Sequence, residues 1–444
     1  MEEGKYIIAL EIGSSKVKGA VGVIDQTGTL AIQAIEEEPL LDQMHYGLIR
    51  NVAGVSSSTL RIIRKLENRI SPRKIESVYV AIGGRSFCSM PREAEQHLGA
   101  PVEISREMIE QLKQQVLATF SITDKEILKV VPREFIVDRV RAEHPIGTLG
   151  SHIRMMANVI TCRKEIKRNL EISINDKLGL KINDFIVRQI AEADFVLTPD
   201  EKRLGCMLVD FGAETTTVSI YKHGRMQYMA TLPLGSRNIT RDLTHLHQTE
   251  EQAEEMKKRH GNALRVQHDQ NSTDGVDLSE MNHYVASRAG EIIANIIQQI
   301  KLAGLTANEL PSGIIIVGKG AKLNGFNQRL SEESKLKVRS GSVTNGIVRI
   351  SDSRISSSDS VDIISTLYAV SRMDPVECLT QLEPEPEPEP IIPEPEPEPE
   401  PEPAPAPKPA KKRWMDSLRQ NIVKLMSDPD PDELDDELTD DEDN

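Results

Sequence analysis

The sequence of 444 residues predicts an α/β protein whose body has two related lobes and an inserted α+β subdomain. A β-hairpin near the N-terminus has a pattern that returns about two hundred residues later, which indicates an internal duplication. Helices with one apolar stripe separate the strands, as in an α/β fold. Beyond residue 380, Glu-Pro repeats hold 13 of the 25 prolines, so the sequence predicts a disordered Pro/Glu linker that is followed by an amphipathic helix.

The two hairpins share one pattern. In each, an apolar strand ends at an acidic residue, a turn with glycine and hydroxyl side chains follows, and a second apolar strand begins. The first hairpin has strands over residues 6–10 and 16–24 and the turn 11–15, and the second has strands over 206–209 and 216–221 and the turn 210–215. This repetition predicts two lobes that face each other.

The other elements of the body follow from the spacing of apolar residues. The predicted helices cover residues 57–70, 163–174 and 281–302, and a buried strand covers 314–317 before the turn Gly318-Lys319-Gly320. Residues 85–159 break this rhythm with a helix over 105–118 and strands over 127–137 and 152–160, which predicts the inserted subdomain.

The net charge of −15 comes from the C-terminal segments. Residues 381–410 carry −8, residues 411–426 carry +4, and residues 428–444 carry −11, so the body up to residue 380 is neutral. A neutral body lacks the basic excess of a nucleic-acid-binding protein, and we expect no nucleic-acid partner.

The four cysteines stand at 88, 162, 206 and 378, without metal-ligand or CxxC spacing. Buried free thiols in a reducing compartment are the expected state. Neither an apolar run of the roughly 18–20 residues that a membrane span needs nor a signal peptide is visible, so we expect a cytosolic protein.

The repeated turns suggest a ligand. Glycine lets the backbone approach a bound group, successive N–H groups bind anions, and a nearby acid can hold Mg²⁺ through water. A single Gly-Ser hairpin turn is usually only a turn. Two such turns on opposed lobes, with a third glycine turn after a buried strand, are a more specific indication of a nucleotide phosphate site.

These segments resemble the phosphate and adenosine loops of the actin/Hsp70/sugar-kinase ATPase superfamily. Residues 11–17 resemble the first phosphate loop, residues 210–215 the second, and residues 316–321 the adenosine loop. Within that superfamily the chain is similar to the FtsA family of bacterial cell-division actin homologues, over residues 5 to about 373. The narrower likeness lies in residues 80–84, 131–135, 159–162, 193–201 and 253–261.

The resemblance implies a two-lobed actin-like ATPase fold with Mg-ATP in the cleft. It places Gly13, Ser14, Ser15 and Lys16 at the β- and γ-phosphates, Gly212, Ala213 and Thr215 opposite them, Glu11 and Asp210 at Mg²⁺ through water, Glu254 and Lys257 at the nucleoside, and Gly318, Gly320 and Ala321 under the adenine. For Glu254 and Lys257, a solvated helix face is the alternative. The chain departs from the superfamily pattern at Glu11, where Asp is usual, and at Ala213, Glu214 and Lys319, where glycines are usual.

The resemblance also implies partners. We expect the region from about residue 235 to 311 to bind the C-terminal tail of the tubulin-like FtsZ, and its basic residues could meet acidic groups on that tail. They are Arg237, Arg241, Lys257, Lys258, Arg259 and Arg288, and ordinary surface charge is the alternative for each. Self-assembly and contacts with other division proteins are implied as well.

The pattern of residues 411–427 predicts an amphipathic helix, and this segment resembles the family's membrane-targeting sequence. At 100° per residue, one apolar arc of about 120° collects its large apolar side chains, and basic residues flank the arc. The apolar set is Trp414, Met415, Leu418, Ile422, Leu425 and Met426, and the flanking set includes Arg413, Arg419 and Lys424. The alternative is docking on the body or on a partner.

We expect lobe 1 over residues 1–84 and 161–204, the inserted subdomain over 85–160, lobe 2 over 205–375, the Glu-Pro linker over 376–410, the amphipathic helix over 411–427 and an acidic disordered tail over 428–444. The expected function is a structural adaptor, at most a weak ATPase, that anchors the division ring to the cytoplasmic face of the inner membrane. The alternatives are a pilus-assembly-type actin homologue, a sugar-kinase-like phosphotransferase and an Hsp70-like chaperone. A kinase would need a general base, a chaperone would need a large substrate domain, and the long linker and terminal helix favour the adaptor over the pilus homologue.

Overall fold

The computed structural model of the chain describes residues 4–264, 272–273, 276–342, 346–352, 354–356 and 358–380. These residues fall in one unit, Met1–Glu383, and a second unit covers Pro384–Asn444. The predicted linker beyond residue 380, the predicted helix over 411–427 and the acidic tail lie outside the described residues.

Lobe 1 begins with a three-stranded antiparallel meander, and a helix then leads to a parallel strand. Its first elements are β1 (Lys5–Ile12), β2 (Lys16–Ile24), β3 (Leu30–Pro39), β4 (Met44–His45), β5 (Leu48–Ile49), α1 (Val52–Ile70) and β6 (Ser77–Ile82). The side chain of Asn51 caps α1 by accepting a hydrogen bond from the Gly54 N–H. The first predicted hairpin is thus formed by β1 and β2, which pair from Lys5–Ile24 to Ile12–Val17.

The inserted subdomain packs one helix on a sheet of long strands. Its elements are β7 (Cys88–Glu103), α2 (Arg106–Ala118), β8 (Lys125–Val137), β9 (Val140–Arg141) and β10 (Leu149–Arg163). The buried side chains of Ile109, Leu112 and Val116 on α2 belong to a core of its own, together with inward residues of β8 and β10. The predicted helix and two strands are present here, and β7 is an additional strand that the sequence pattern did not predict.

The chain then completes lobe 1 and builds lobe 2. The next elements are α3 (Lys164–Glu171), β11 (Lys181–Val187), α4 (Arg188–Val196) and α5 (Pro199–Leu204). Lobe 2 contains β12 (Cys206–Phe211), β13 (Thr216–Lys222), β14 (Arg225–Leu232), α6 (Ser236–Leu243), α7 (Glu250–His260), β15 (Ser272–Thr273), β16 (Val276–Asp277), α8 (Leu278–Leu302), β17 (Ile314–Val317), α9 (Phe326–Ser334) and β18 (Val338–Ser340). The last elements, β19 (Val348–Ile350) and α10 (Val361–Ser371), return to lobe 1, where β19 pairs with β3.

The two lobes repeat one sheet topology. Lobe 1 has the strand order β11-β6-β1-β2-β3, and lobe 2 has the matching order β18-β17-β12-β13-β14. In both, the first three strands in sequence are antiparallel and the next strands join in parallel. The prediction of two related lobes from the repeated hairpin is confirmed.

The helices pack on these sheets through the stripes seen in the sequence. On α8, for example, Ile292, Ile293, Ile296 and Ile300 are buried in the core of lobe 2. All four cysteines are unpaired, and three of them are buried. The sheet of lobe 2 continues into the inserted subdomain, because β14 pairs with β7 at Ala230 and Cys88.

Among the described residues, none of the helices combines the length and apolar character needed to cross a bilayer.

Candidate functional site in the cleft between the lobes

The two repeated turns have the same internal hydrogen bond. The Gly13 N–H donates to the Lys16 carbonyl at 2.9 Å, and the Gly212 N–H donates to the Thr215 carbonyl at 2.9 Å. Each bond closes a turn of four residues, and the predicted phosphate-binding residues Ser14, Ser15 and Ala213 lie within these two turns. The two turns are therefore equivalent structures at matching points of the two lobes.

One guanidinium joins the acids that precede these turns. Arg188, the first residue of α4, donates from Nη1 to Glu11 Oε1 at 2.5 Å and from Nη2 to Asp210 Oδ2. Its Nε lies 3.6 Å from Glu192 Oε1, one turn along the same helix. Burial alone would lower the pKa of Arg188, but Asp210 and Glu11 outweigh it and raise that pKa. Arg188 was not predicted as a site residue.

Three carboxylates, those of Glu11, Glu192 and Asp210, surround the single positive charge of Arg188. Burial, with a further contribution from Asp362, raises the pKa of Glu11 to about 7. Burial, followed by the charge of Asp210, also raises the pKa of Glu192. Glu11 Oε2 is buried and has no hydrogen-bond partner among the described residues. This surplus of buried oxygen ligands suits a hard divalent cation such as Mg²⁺.

Three lysines lie within 4 Å of the Glu37 carboxylate, next to the first turn. Lys16 forms an ion pair with Glu37, Lys18 Nζ lies 3.8 Å from the same side chain, and Lys319 Nζ lies 3.4 Å from it. Lys18 is also paired with Asp362. Burial, and then the neighbouring Lys16 and Lys18, lower the pKa of Lys319. The three lysines outnumber their acidic partners Glu37 and Asp362, so this cluster has an excess of positive charge.

The third glycine turn is pressed against the end of β12. Gly318 has φ +90°, and a Cβ there would lie 2.4 Å from the Phe211 carbonyl oxygen and 3.0 Å from Asp210 Oδ1. A Cβ on Gly320 would lie 2.8 Å from the Phe211 ring. Both positions therefore need glycine. The Ala321 N–H donates to the Gly318 carbonyl at 3.2 Å, so the predicted adenosine loop is a compact turn beside Asp210.

Glu214 connects the second turn to lobe 1. Its buried carboxylate accepts a 2.6 Å hydrogen bond from the Tyr46 N–H, and His45 Nδ1 lies 3.3 Å away. From α6, Arg237 and Arg241 donate to the same carboxylate at 3.1 and 3.2 Å. The negative charge that the sequence places beside the phosphate turn is therefore neutralised by two guanidinium groups.

Glu254 and Lys257 face α6 instead of the turns. Lys257 Nζ donates to Glu254 at 2.6 Å, to Thr240 Oγ1 at 2.8 Å and to the Ser236 carbonyl at 3.1 Å, so its three N–H groups are used. Burial lowers the pKa of Lys257. The structure thus places this pair in a network between α7 and α6.

The other basic residues of the predicted FtsZ-binding region have acidic partners too. Lys258 lies 3.3 Å from Glu254, and Arg259 lies 3.4 Å from Glu255. Arg288 binds Asp242 through two nitrogens, at 2.6 and 2.9 Å. The predicted membrane-facing residues lie outside the described residues: Arg413, Trp414, Met415, Leu418, Arg419, Ile422, Lys424, Leu425 and Met426.

Comparison with protein families gives two matches to this chain. A family model described as cell division protein FtsA matches residues 207–360, and one described as the SHS2 domain inserted in FtsA matches residues 84–161.

Among curated proteins, the chain is 32% identical over 346 residues to cell division protein FtsA of Porphyromonas gingivalis, covering 74% of this chain and 72% of that protein. It is 27% identical over 354 residues to cell division protein FtsA of Pseudomonas aeruginosa, covering 77% of this chain and 84% of that protein.

Among solved structures, the chain is similar to a PilM–PilN type IV pilus biogenesis complex, with a TM-score of 0.56 and 17% identity over 82% of this chain and 96% of that chain. The two-lobed actin-like ATPase fold with an inserted subdomain is confirmed for the body.

Proposed function

Because this chain belongs to the FtsA family of cell division proteins, we propose that it binds Mg-ATP between its lobes and acts as an adaptor that anchors the division ring to the membrane. The observation that carries the nucleotide proposal is the bridge from Arg188 to Glu11 and Asp210. It shows that the ends of β1 and β12, which are equivalent strands, meet within the reach of one side chain.

The residues at this meeting point fit a magnesium ion. Glu11 and Asp210 are buried, and both side chains offer oxygen ligands. Within the described part of the chain, Glu11 Oε2 has no hydrogen-bond partner. When bound, Mg²⁺ would neutralise phosphate charge, and Glu11 and Asp210 would hold it through water. Arg188 holds both carboxylates through its guanidinium.

The two turns and the lysines fit the phosphates. The Gly13 and Gly212 N–H groups close their own turns, so the N–H groups of the residues between would be the donors to phosphate. Lys16 and Lys319 add positive charge from the two lobes. Gly318 and Gly320 let the third turn pack directly against Phe211 at the end of β12, which holds this turn beside Asp210, where the adenosine part would lie. The structure offers no comparable argument for Glu254 and Lys257, whose polar groups bond to α6.

An adaptor also needs binding sites outside this cleft, for the division ring and for the membrane. We propose that lobe 2 near residues 235–311 binds the acidic C-terminal tail of FtsZ, and that copies of the chain assemble with one another. The predicted helix over 411–427 would attach the assembly, as a peripheral protein, to anionic lipid on the cytoplasmic face of the inner membrane at the division site. Other division proteins would then be recruited to it.

The test of nucleotide binding is Gly212→Asp. A Cβ on Gly212 would already lie 3.0 Å from the Thr215 carbonyl oxygen, and a carboxylate would add negative charge beside the phosphates. We expect calorimetric titration with Mg-ATP to show that binding is abolished. Gly224→Asp makes the same change in the next hairpin turn of lobe 2, where a Cβ meets nothing within 4 Å and the left-handed φ of +72° is one that Asp adopts more readily than most residues. If Gly212→Asp binds Mg-ATP as tightly as Gly224→Asp, the two-turn site is wrong.

A further inference from the structure

The outward face of the inserted sheet carries two imidazoles and a carboxylate. His97 on β7 and His152 on β10 are direct partners in the antiparallel ladder, and Glu95 precedes His97 by two residues, on the same face of β7. The two rings stack with centroids 4.4 Å apart and planes at 26°. His152 Nε2 lies 3.5 Å from Glu95 Oε2. These are ligands that a transition-metal ion uses, and the proposed function does not involve them.

The ligand atoms of the three side chains are close enough to share one ion. One nitrogen from each imidazole and one oxygen of Glu95 all lie within 4.8 Å of one another. Zinc, with bonds of about 2.0–2.1 Å, holds its tetrahedral ligands about 3.3 Å apart, so binding would turn the stacked rings about their side-chain torsions until both nitrogens point at the ion. His152 Nε2 is buried and has no hydrogen-bond partner among the described residues, which leaves it available as a ligand.

Asp138 holds the backbone of His152 through hydrogen bonds to both its N–H and its carbonyl group. The Asp138 carboxylate accepts hydrogen bonds from the Ser151 N–H and from the His152 N–H, the latter at 2.9 Å, and the Asp138 N–H donates to the His152 carbonyl at 3.0 Å. A register shift in the β7–β10 ladder follows immediately, between Gly150 and His152. His97 and His152 are thus the last regular pair before a bulge, and bulges commonly orient side chains for a site.

The nearest basic side chain does not occupy the Glu95 carboxylate, which remains close to the two imidazoles. Arg154 is the ladder partner of Glu95, but its Nε lies 3.3 Å from Glu93 Oε2. Glu95 and His97 are exposed, so water can complete the coordination of a bound ion. Two imidazoles and one carboxylate with an open position form a ligand set that zinc accepts and that magnesium does not prefer.

We propose that Glu95, His97 and His152 bind a divalent transition-metal ion, for which Zn²⁺ is the probe. The ion would cross-link β7, the first strand of the inserted subdomain, to β10, which lies between β7 and β8 in the sheet. This cross-link would stabilise the subdomain. The cleft residues take no part in this site, so its presence does not depend on ATP binding.

The experiment is calorimetric titration of the metal-free, full-length protein with Zn²⁺. We expect one tight site, and a loss of affinity of at least about tenfold in His97→Gln and in Glu95→Gln, whose exposed side chains can be replaced without disturbing the core. His144→Gln, which changes another exposed histidine of the same subdomain, should bind Zn²⁺ like the wild type. An excess of Mg²⁺ should not compete with Zn²⁺ for this site, because magnesium does not prefer imidazole ligands.

Cobalt provides a second readout. Co²⁺ bound by two imidazoles and a carboxylate in a tetrahedral site gives visible absorption bands, which should appear in the wild type and in His144→Gln and be lost in His97→Gln. Equal Zn²⁺ affinity and equal Co²⁺ spectra in His97→Gln, Glu95→Gln and the wild type would overturn the site and leave the histidines as an ordinary cross-strand pair.

Discussion

Arg188 donates a 2.5 Å hydrogen bond to Glu11, although the two residues belong to distant segments of the chain. The other end of the same guanidinium binds Asp210, at the equivalent position of lobe 2. Arg188 begins α4 directly after β11, so it projects from the edge of lobe 1 where the parallel strands end. One cation therefore joins two buried acids, one from each lobe.

Replacing Arg188 by alanine should destabilise the protein strongly. Glu11 and Asp210 would remain buried without their cation, and breaking a buried ion pair in this way costs about 3–5 kcal/mol. Mg-ATP should recover part of that loss, because a divalent ion replaces the missing positive charge. Urea unfolding with and without Mg-ATP measures both effects.

The control for Arg188→Ala is Arg203→Ala. Arg203 also pairs with an acid, Asp200, at 3.1 Å, but both side chains are exposed. Its loss should cost below about 0.5 kcal/mol and should not respond to Mg-ATP. Equal unfolding free energies for the two variants would show that the bridge across the cleft contributes nothing to stability.

Glu214 should make stability depend on pH. Burial alone would raise its pKa, but the Tyr46 N–H, followed by His45 and Arg237, outweighs burial and lowers it. Because the pKa is lower in the folded state than in the unfolded state, the stabilisation is complete above the unfolded pKa of about 4.3. It is lost as the pH falls through the folded value. Glu214→Gln should therefore cost about 3 kcal/mol at pH 7, and this difference should shrink as the pH falls below about 4.

Glu250→Gln is the matched control for that pH series. Glu250 Oε1 lies 3.4 Å from Arg237 as well, but its side chain is half exposed. Its substitution should change the unfolding free energy little at any pH. A Glu214→Gln effect that stays constant from pH 7 to pH 3 would contradict the role of the ionised carboxylate.

Local patterns were sufficient to predict much of the fold. The hairpins β1–β2 and β12–β13 were predicted because each is a continuous stretch in which apolar strands flank a glycine turn. Their repetition then predicted the two sheets of matching order. Helix α8 was predicted because Ile292, Ile293, Ile296 and Ile300 mark one buried face.

Contacts between distant segments could not be predicted in this way. Arg188 stands at the start of α4 without a turn motif, and of its three acidic partners only Glu192 is close to it in the sequence. The neutralisation of Glu214 could not be predicted either, because its partners Tyr46, Arg237 and Arg241 come from other elements. Strand β7 was missed because its outward face is charged and it contains Pro91 and Gly99, which usually indicate loops.

The FtsZ tail should bind more weakly when the two exposed basic residues of α7 are reversed. Lys258 and Arg259 are about two-thirds exposed, and each pairs with a glutamate on its own helix, so both can exchange these partners for an acidic peptide. We expect Lys258→Glu with Arg259→Glu to weaken binding of a labelled tail peptide by about tenfold at low salt, and by less at high salt. Fluorescence anisotropy measures the affinity.

The control reverses two basic residues of α1, Arg61→Glu with Lys65→Glu, which both pair with Glu38 in lobe 1. This variant has the same change in net charge, so an equal loss of affinity would indicate non-specific attraction. Unchanged binding by the α7 variant would place the tail elsewhere on the protein.

The predicted helix over residues 411–427 should bind anionic membranes through its apolar arc. Burial of apolar surface contributes ~25 cal/mol per Å², and each basic residue near anionic lipid adds about 1 kcal/mol. Leu418→Glu with Ile422→Glu places two charges in the centre of the arc, so the protein should no longer sediment with anionic vesicles. Truncation after Ser427 should tighten binding, because it removes eleven acidic residues that the anionic surface repels.

The matched control is Gln420→Glu with Asn421→Glu, which adds the same two charges to the polar face of the predicted helix. It should weaken sedimentation only through electrostatic repulsion, an effect that salt screens, whereas the loss of the apolar arc persists in high salt. Equal release of both variants at low salt, together with release of the wild type at high salt, would mean that charge alone holds the segment at the membrane. Unchanged sedimentation of the Leu418 and Ile422 variant would instead favour docking of this segment on a protein partner.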